Sequence, residues 1–405
     1  MELVSGKNNR IYAFDQLRAL MMMLGLVVHI SATYVVRDIS ATWPVKDVLS
    51  TSLIFDTVAA FVHAFRMPLF FMVSGFFTAM LFFERGAENM LRNRLKRIFY
   101  PFVIGLIILY PAYLFAVNYF LLRTGEKVTP VMDTLQMKLR SDWGSLSTIH
   151  LWFLYYLAMY CLAGWVLGRC APAFPGINKK IKNCFTTAFN LKWAPFVFAP
   201  VTFLCLVDAE DIVIGGADLL RFDLNCFVTH GYFFLFGWLV YLHQDHLGRF
   251  LKHDRLFVTI GLCLFFLVLF LLVSQPGLEK SNGVYLYYLF DAIIPWCFIF
   301  GFTGLSLRYL NHYSVVGRYT SDASYWVYLL HLPLLIYFQG LLVTLHLHGL
   351  IKFVIVLIAT VAVLMIGYNY LVRGTFIGKF LSGKKLKRGF PKGDIEIPAV
   401  ATRSS

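Results

Sequence analysis

Arg18 and His29 are eleven positions apart in the first long apolar segment of the chain, in which ALMMMLGLVVHISATYVV follows the arginine. At about 100° per residue, this spacing places both side chains on one face of an α-helix, about 16 Å apart along its axis. A charged group and an imidazole inside a membrane helix are energetically costly, so they indicate function. A neutral imidazole is suited to take a proton from a hydroxyl, and a guanidinium is suited to hold an anion. The alternative is a hydrogen-bonded packing histidine beside an arginine that extends to the membrane surface.

Three further polar residues occur in the second apolar segment, HAFRMPLFFMVSGFF, which contains His63, Arg66 and Ser74. His63 and Ser74 are again eleven apart and therefore share a helix face. A central arginine that faces lipid costs at least about 2.5 kcal/mol on insertion scales, so Arg66 must face a polar interior. Pro68 frees backbone groups that a cavity or a neighbouring helix must satisfy. Both a structural ion pair and a binding-site role fit Arg66.

Later segments add candidates of two kinds. Arg94 and Arg97 are three apart, on one helical face at the start of the third apolar segment, and guanidinium groups pair well with phosphates. An ordinary basic cluster at a membrane surface is the alternative for this pair. His150, Asp291 and His331 lie within or beside later apolar segments, where each either lines a polar cavity or is a satisfied core residue.

The elements that position these residues are long apolar segments. Of the 405 residues, 59% are hydrophobic and 14% are charged, whereas soluble domains carry about 25% charged residues. We therefore predict an all-α, polytopic membrane protein with ten spans around a central cavity. The fifth span is the weakest, because Pro195 and Pro200 interrupt it. The predicted spans are 17–36, 57–83, 99–121, 148–168, 193–208, 225–243, 256–274, 284–304, 322–345 and 350–372.

Charge predicts the orientation of these spans. Ten spans place both termini on one side, whose loops carry 25 Lys and Arg residues against 8 in the opposite loops. The positive-inside rule therefore places both termini in the cytoplasm. We predict a cytoplasmic segment at 1–16, a membrane domain at 17–372 and a basic, partly disordered cytoplasmic tail at 373–405. Because the net charge of +14 follows this pattern, nucleic acid is not an expected partner.

Several kinds of chemistry have no support in the sequence. The chain contains no GxxxxGK[ST] phosphate loop and no GxSxG nucleophile elbow, which argues against ATP hydrolysis and ordinary serine-hydrolase chemistry. His243, His246 and His253 lie in one predicted cytoplasmic loop, but no carboxylate or cysteine is in register with them. We therefore predict no metal site.

Five segments resemble the landmarks of the membrane acyltransferase 3 family, in that family's order: FDQLRALMMMLGLVVH, FRMPLFFMVSGFF, RNRLKRIFYP, HLWFL and SYWVYLLHLP. The resemblance covers residues 10–385. It implies a cytoplasmic acyl-CoA as co-substrate, an extracytoplasmic glycan as acceptor and no permanently bound cofactor. It also implies that His29 is the essential histidine, that Arg18 is its partner, and that Arg94 and Arg97 contact the donor. For Arg66, His150 and His331 it implies positions in the cavity.

Within this family the chain most resembles the branch that acts on osmoregulated periplasmic glucans. That resemblance implies a bacterial inner-membrane enzyme that transfers succinyl groups, with acetyl as the competing acyl group. The pantetheine arm of the donor reaches roughly 15–20 Å, which is similar to the separation of Arg18 and His29. His29 then acts either as a general base or as a nucleophile through an acyl-imidazole. A glycan transporter or flippase is the main alternative, and proteins of glycan synthesis are expected partners.

Overall fold

The fold is known from a computed structural model, which describes residues 11–39, 42–140, 146–209, 219–274, 283–383, 386 and 389. Helices make up nearly all of the regular structure in these ranges, and the remainder is one isolated β-bridge between Ser147 and Leu219. The α-helices are α1 (Tyr12–Ala32), α2 (Leu53–Arg85), α3 (Ala87–Arg94), α4 (Tyr100–Thr124), α5 (Val131–Arg140), α6 (Trp152–Cys170), α7 (Pro175–Asn190), α8 (Ala194–Ala209), α9 (Leu224–Leu242), α10 (Asp254–Ser274), α11 (Val284–Tyr309), α12 (Val315–Leu342), α13 (Gly349–Gly367) and α14 (Phe376–Ser382).

The prediction of an all-α, polytopic membrane protein is confirmed. Among the described residues, nine helical segments are long and apolar enough to cross a membrane, and they coincide with nine of the ten predicted spans. The third begins earlier than predicted, because α3 continues through a π-helical turn at Leu95–Phe99 into α4. The fifth predicted span is α8, a helix of 16 residues with Pro200 inside it, which is shorter than the roughly 20 residues of a typical span.

Local sequence signals account for several helix ends. The side chains of Ser52, Asp223 and Ser314 accept hydrogen bonds from backbone N–H groups in the first turns of α2, α9 and α12. At the other end of α4, Gly125 has φ of +82°, a left-handed conformation that glycine adopts without a steric penalty. These caps set where the long helices begin and end.

Contacts between α6 and α9 show that these two helices run in the same direction. The backbone N–H of Asp223 donates to the Tyr156 hydroxyl, and one turn further along both helices the Tyr160 hydroxyl donates to the Phe227 carbonyl. Since α6 and α9 are parallel, α6 ends at one end of the bundle and α9 starts at the other. The chain must therefore cross the bundle once more between them.

The short helix α8 provides this return. Its residue Cys205 accepts a hydrogen bond from Asn225 near the start of α9, whereas Phe198 stacks edge-on against Phe236 near the end of α9. Helix α8 is therefore antiparallel to α9. This direction makes α8 a tenth crossing of the helical layer, despite its length.

Helices α1 and α12 also run parallel and in register. The Ser321 hydroxyl donates to the Asp15 carbonyl near the start of both helices, and the Gln339 amide donates to the Ile30 carbonyl near their ends. Polar contacts thus join the two helices at both ends, and the residues between them, including His29 and His331, are held opposite one another.

Both described ends of the chain lie at one end of the bundle. Arg373, just after the last long helical segment, packs over the Tyr319 ring at 5.2 Å. Tyr319 is in the second turn of α12, beside the start of α1. An even number of crossings requires this arrangement.

Candidate active site

Residues from four helical segments converge on one cavity inside the bundle. His29 comes from α1, Arg66 from α2, His150 from the turn before α6, and His331 from α12. The cavity is narrow, with a volume of about 30 Å³, and it is partly open to the outside. Sulfur and aromatic side chains complete its wall: Met21, Met22, Met67, Phe70, Trp152, Phe153 and Tyr328.

Two of the histidines are anchored by backbone carbonyls of α12. His331 Nδ1 is 2.6 Å from the Tyr328 carbonyl oxygen, and His150 Nε2 is 3.0 Å from the same oxygen and 3.1 Å from the Leu329 carbonyl oxygen. A carbonyl only accepts hydrogen bonds, so these ring nitrogens carry the protons. The opposite nitrogens, His331 Nε2 and His150 Nδ1, are buried and have no hydrogen-bond partner in the described part of the chain. Each of these two nitrogens therefore has a lone pair that can accept a hydrogen bond from a ligand.

Pro333 explains why one of these carbonyls is free. In an α-helix the carbonyl of residue 329 accepts from the N–H of residue 333, but proline has no N–H. The Leu329 carbonyl consequently accepts from His150. In return, the Tyr328 hydroxyl donates to the His150 carbonyl at 2.8 Å. The proline in SYWVYLLHLPLL thus prepares a place for a histidine that lies about 180 residues earlier in the chain.

Arg66 brings a positive charge into this cavity without a carboxylate partner. It forms no ion pair with any residue that the structure describes, and its buried Nε has no hydrogen-bond partner there. Its guanidinium packs against Gly25 of α1, where a Cβ atom would lie 2.7 Å from Nη1. The same Cβ position is 3.9 Å from His331 Nε2, so the guanidinium and the free imidazole nitrogen face the same point. The site combines hydrogen-bond donors for an anionic oxygen with acceptors for a hydroxyl.

His29 is held by ring contacts. Its imidazole centroid is 5.3 Å from that of His331 and 5.5 Å from the Trp43 ring, which is nearly parallel to it. Trp43 belongs to the loop between α1 and α2, and helical spacing does not identify it, because the contact depends on how that loop folds back. Its position in an otherwise polar stretch near a helix end was the available signal.

A second cationic region lies at the opposite end of α1. Arg18 pairs with Asp15 at 3.4 Å, contacts Ser321 at 3.4 Å and packs over the Phe77 ring. Arg94 and Arg97 lie within electrostatic range of Arg18. We call Arg18, Arg94 and Arg97 the arginine cluster.

The members of the arginine cluster differ in how well they are paired. Arg94 Nε and Nη2 are buried and have no hydrogen-bond partner among the described residues. The guanidinium of Arg97 lies against Gly383, just after α14, and its backbone carbonyl accepts from the Tyr325 hydroxyl. Arg18, which the sequence placed with His29, is thus in the cluster and not in the wall of the cavity.

The structure does not place the remaining predicted residues in the cavity wall. His63 lies one turn before Arg66 in α2 and is within electrostatic range of it. It does not line the cavity. Ser74 is buried where α2 meets α9, and its carbonyl accepts from the Thr78 hydroxyl. Asp291 is partly buried in α11 and is also outside the wall.

Comparison with known proteins identifies the family. Residues 11–369 match the family model for the acyltransferase domain of the acyltransferase 3 family. The chain therefore belongs to this family of acyltransferases. It is similar to proteins named glucans biosynthesis protein C from Salmonella schwarzengrund, Salmonella typhi and Salmonella typhimurium, with 26% identity over 385 residues, covering 93% of this chain and 95% of each relative. No solved structure matches the chain.

Proposed function

We propose that this protein transfers an acyl group from cytoplasmic acyl-CoA to a hydroxyl of a periplasmic glucan, across a bacterial inner membrane. One observation supports this most: a guanidinium and imidazole nitrogens that have no partner among the described residues share one cavity, in a chain of an acyltransferase family. The donor is a co-substrate, and no permanently bound cofactor is needed. The excess of basic residues in the loops supports cytoplasmic termini.

The arginine cluster is suited to hold the donor. Acyl-CoA carries several phosphate charges, and Arg94 offers two buried donors that no described residue uses. The cluster is at the end of the bundle where both described chain ends lie, which is the cytoplasmic end in this proposal. From there the pantetheine arm, roughly 15–20 Å long, reaches the level of His29, about 16 Å along α1.

In the cavity, His29 takes the proton of the glucan hydroxyl as its oxygen attacks the thioester carbonyl carbon. Arg66 donates hydrogen bonds to the negative oxygen that forms on that carbon. The carbon–sulfur bond then breaks, and His29 returns the proton to the thiolate of coenzyme A. The products are an ester and free coenzyme A. The route through an acyl-imidazole on His29 uses the same residues, with coenzyme A leaving before the hydroxyl attacks.

The name of the relatives supports a glucan acceptor, and succinyl is the acyl group that we favour, with acetyl as the alternative. A succinyl group ends in a carboxylate, and binding this carboxylate is the alternative role for Arg66, which pairs with no Asp or Glu among the described residues. A glycan transporter or flippase is the competing class. It does not require acyl-CoA, so dependence on the donor separates the two.

The first test is the mass spectrum of periplasmic glucans from cells with the gene, without the gene, and with His29→Ala. We expect one acyl mass step to vanish equally in the deletion and in the variant, because general-base removal costs about 10²–10⁴ in rate. His246→Ala, which changes an exposed histidine outside the cavity wall, is the matched control and should keep the substituent. Retention of the full substituent in correctly inserted His29→Ala protein would contradict the role of His29. Unchanged substitution with less periplasmic glucan would favour a transporter.

A further inference from the structure

His29 lacks the support that a catalytic base usually receives. A base histidine becomes an imidazolium when it takes a proton, and a buried carboxylate often orients and stabilises it. Within the described part of the chain, His29 forms no hydrogen bond, and no Asp or Glu lines its cavity. Arg66 adds a positive charge nearby, which opposes a second one. A group that holds the ring and favours its charged form would offset this opposition.

Trp43 is placed to do this. Its ring is 5.5 Å from the His29 imidazole between centroids, and the two planes differ by 13°. The negative face of an indole attracts a cation, and tryptophan does so more strongly than tyrosine or phenylalanine. Because a parallel stack covers the face of the imidazole, the nitrogens at the ring edge stay accessible to a hydroxyl.

A chain of hydrogen bonds fixes the indole itself. Trp43 Nε1–H donates to Thr33 Oγ1 at 3.0 Å, and the Thr33 hydroxyl donates to Gln339 Oε1 at 3.1 Å. The Gln339 amide then donates to the Ile30 carbonyl, the residue next to His29. Thr33 and Gln339 are buried, so this chain is shielded from water.

A buried ion pair anchors the loop that carries Trp43. Lys352 Nζ of α13 is 2.7 Å from Asp47 Oδ2, and both side chains are almost fully buried. Lys352 also donates to the Val343 carbonyl, and the Asp47 N–H donates to the Thr33 carbonyl at 2.9 Å. Breaking a buried pair on one side leaves an uncompensated charge, so this contact defines one position for the loop. The loop therefore presents Trp43 to His29 in a fixed arrangement.

We infer that Trp43 is a positioning residue for His29: it fixes the plane of the imidazole and stabilises the imidazolium that forms during acyl transfer, in place of a carboxylate. The inference rests on the proposed role of His29 as the base. It assigns to Thr33 and Gln339 the task of holding Trp43, and to the Asp47–Lys352 pair the task of anchoring its loop.

The test compares Trp43→Phe, Trp43→Leu and Thr33→Val with the wild type in purified protein in lipid vesicles. Succinyl-CoA and acetyl-CoA are the donors, β-linked glucose oligosaccharides are the acceptor, and release of the coenzyme A thiol is the readout. We expect Trp43→Leu to lower kcat about tenfold, the scale of one cation–π contact, while both KM values stay within about twofold. Trp43→Phe keeps an aromatic face and should retain most of the activity. Thr33→Val should fall between them.

Other patterns would overturn the inference. If Trp43→Leu raises the acceptor KM and leaves kcat unchanged, Trp43 binds the sugar instead of supporting His29. If His29→Ala is inactive and Trp43→Leu equals the wild type, the inference fails while the proposed function stands. If His29→Ala is fully active, the proposed base itself is wrong.

A fluorescence measurement covers the case in which Trp43→Leu does not fold. The chain has 8 Trp residues, and the emission of Trp43 is the difference between wild type and Trp43→Phe. A protonated imidazole quenches an adjacent indole, so this difference in emission should change with pH. The same difference, measured between His29→Gln and His29→Gln combined with Trp43→Phe, should not change with pH. A pH response that persists in His29→Gln would overturn the stack as a functional contact.

Discussion

The arginine cluster and the histidine cavity both bring positive charge into an apolar bundle, but they do so differently. The cluster places three guanidinium groups near one another at a bundle end, where Arg18 is paired and Arg94 has two donors that no described residue uses. Within the described part of the chain, the cavity holds one guanidinium, Arg66, among imidazoles whose second nitrogens have no partner. Several neighbouring positive charges suit the binding of a polyanion, whereas one positive charge beside imidazole acceptors suits a reacting centre. Substitutions in the arginine cluster should therefore mainly raise the donor KM, whereas substitutions in the cavity should mainly lower kcat.

The largest effect is expected for Arg66→Met, which keeps much of the volume and removes the charge. We expect kcat to fall about 10²–10³-fold, because a donor to the negative oxygen in the transition state is lost. Steady-state rates with succinyl-CoA and acetyl-CoA measure this. If Arg66 binds the succinyl carboxylate instead, the rate with succinyl-CoA falls much more than that with acetyl-CoA. Equal, wild-type rates with both donors would remove Arg66 from the mechanism.

An intermediate effect is expected for Arg94→Ala combined with Arg97→Ala. The loss of a single charge-assisted hydrogen bond costs about 1.5–3 kcal/mol, so the donor KM should rise at least about 10–100-fold while kcat changes little. Direct binding of acyl-CoA to purified protein checks this. Arg92→Ala, an exposed neighbour, is the matched control. A drop in kcat at unchanged donor affinity would erase the proposed difference between the two regions.

The smallest effect is expected for Gly25→Ala. The added methyl group would lie 2.7 Å from Arg66 Nη1, so the guanidinium must move by a few tenths of an ångström or more. We expect about a tenfold loss in kcat, because small misplacement of a catalytic donor is costly. Gly105→Ala is the control, since its new Cβ would meet Leu151 only at 3.4 Å. Full activity in Gly25→Ala would mean that the position of Arg66 is not critical.

The sequence predicted the features that depend on a single helix. Apolar length predicted the spans, and the cost of an intramembrane charge placed Arg66 in a polar interior. Helical spacing carried less information about neighbours: it gives which residues share a face but not which helix that face meets. Ser74 and Asp291 therefore looked as suitable as His331 until the bundle was assembled.

Contacts across long sequence separations were beyond sequence reasoning. The bond from His150 to the Leu329 carbonyl needs Pro333 to leave that carbonyl free and the turn before α6 to bring His150 beside α12. The stack of Trp43 on His29 depends on an ion pair between Asp47 and Lys352, which are 305 residues apart. Neither follows from periodicity or composition.

The contact between α2 and α9 has a consequence for motion. A Cβ atom added at Gly75 would collide with the Phe234 carbonyl, and one added at Gly237 would collide with the Met72 carbonyl. The two backbones therefore touch directly at two successive turns, with no side chain between them that changes rotamer to permit sliding. If the protein alternates between states that admit donor and acceptor, α2 and α9 form the stationary frame. Arg66, which projects from α2, then belongs to this stationary frame.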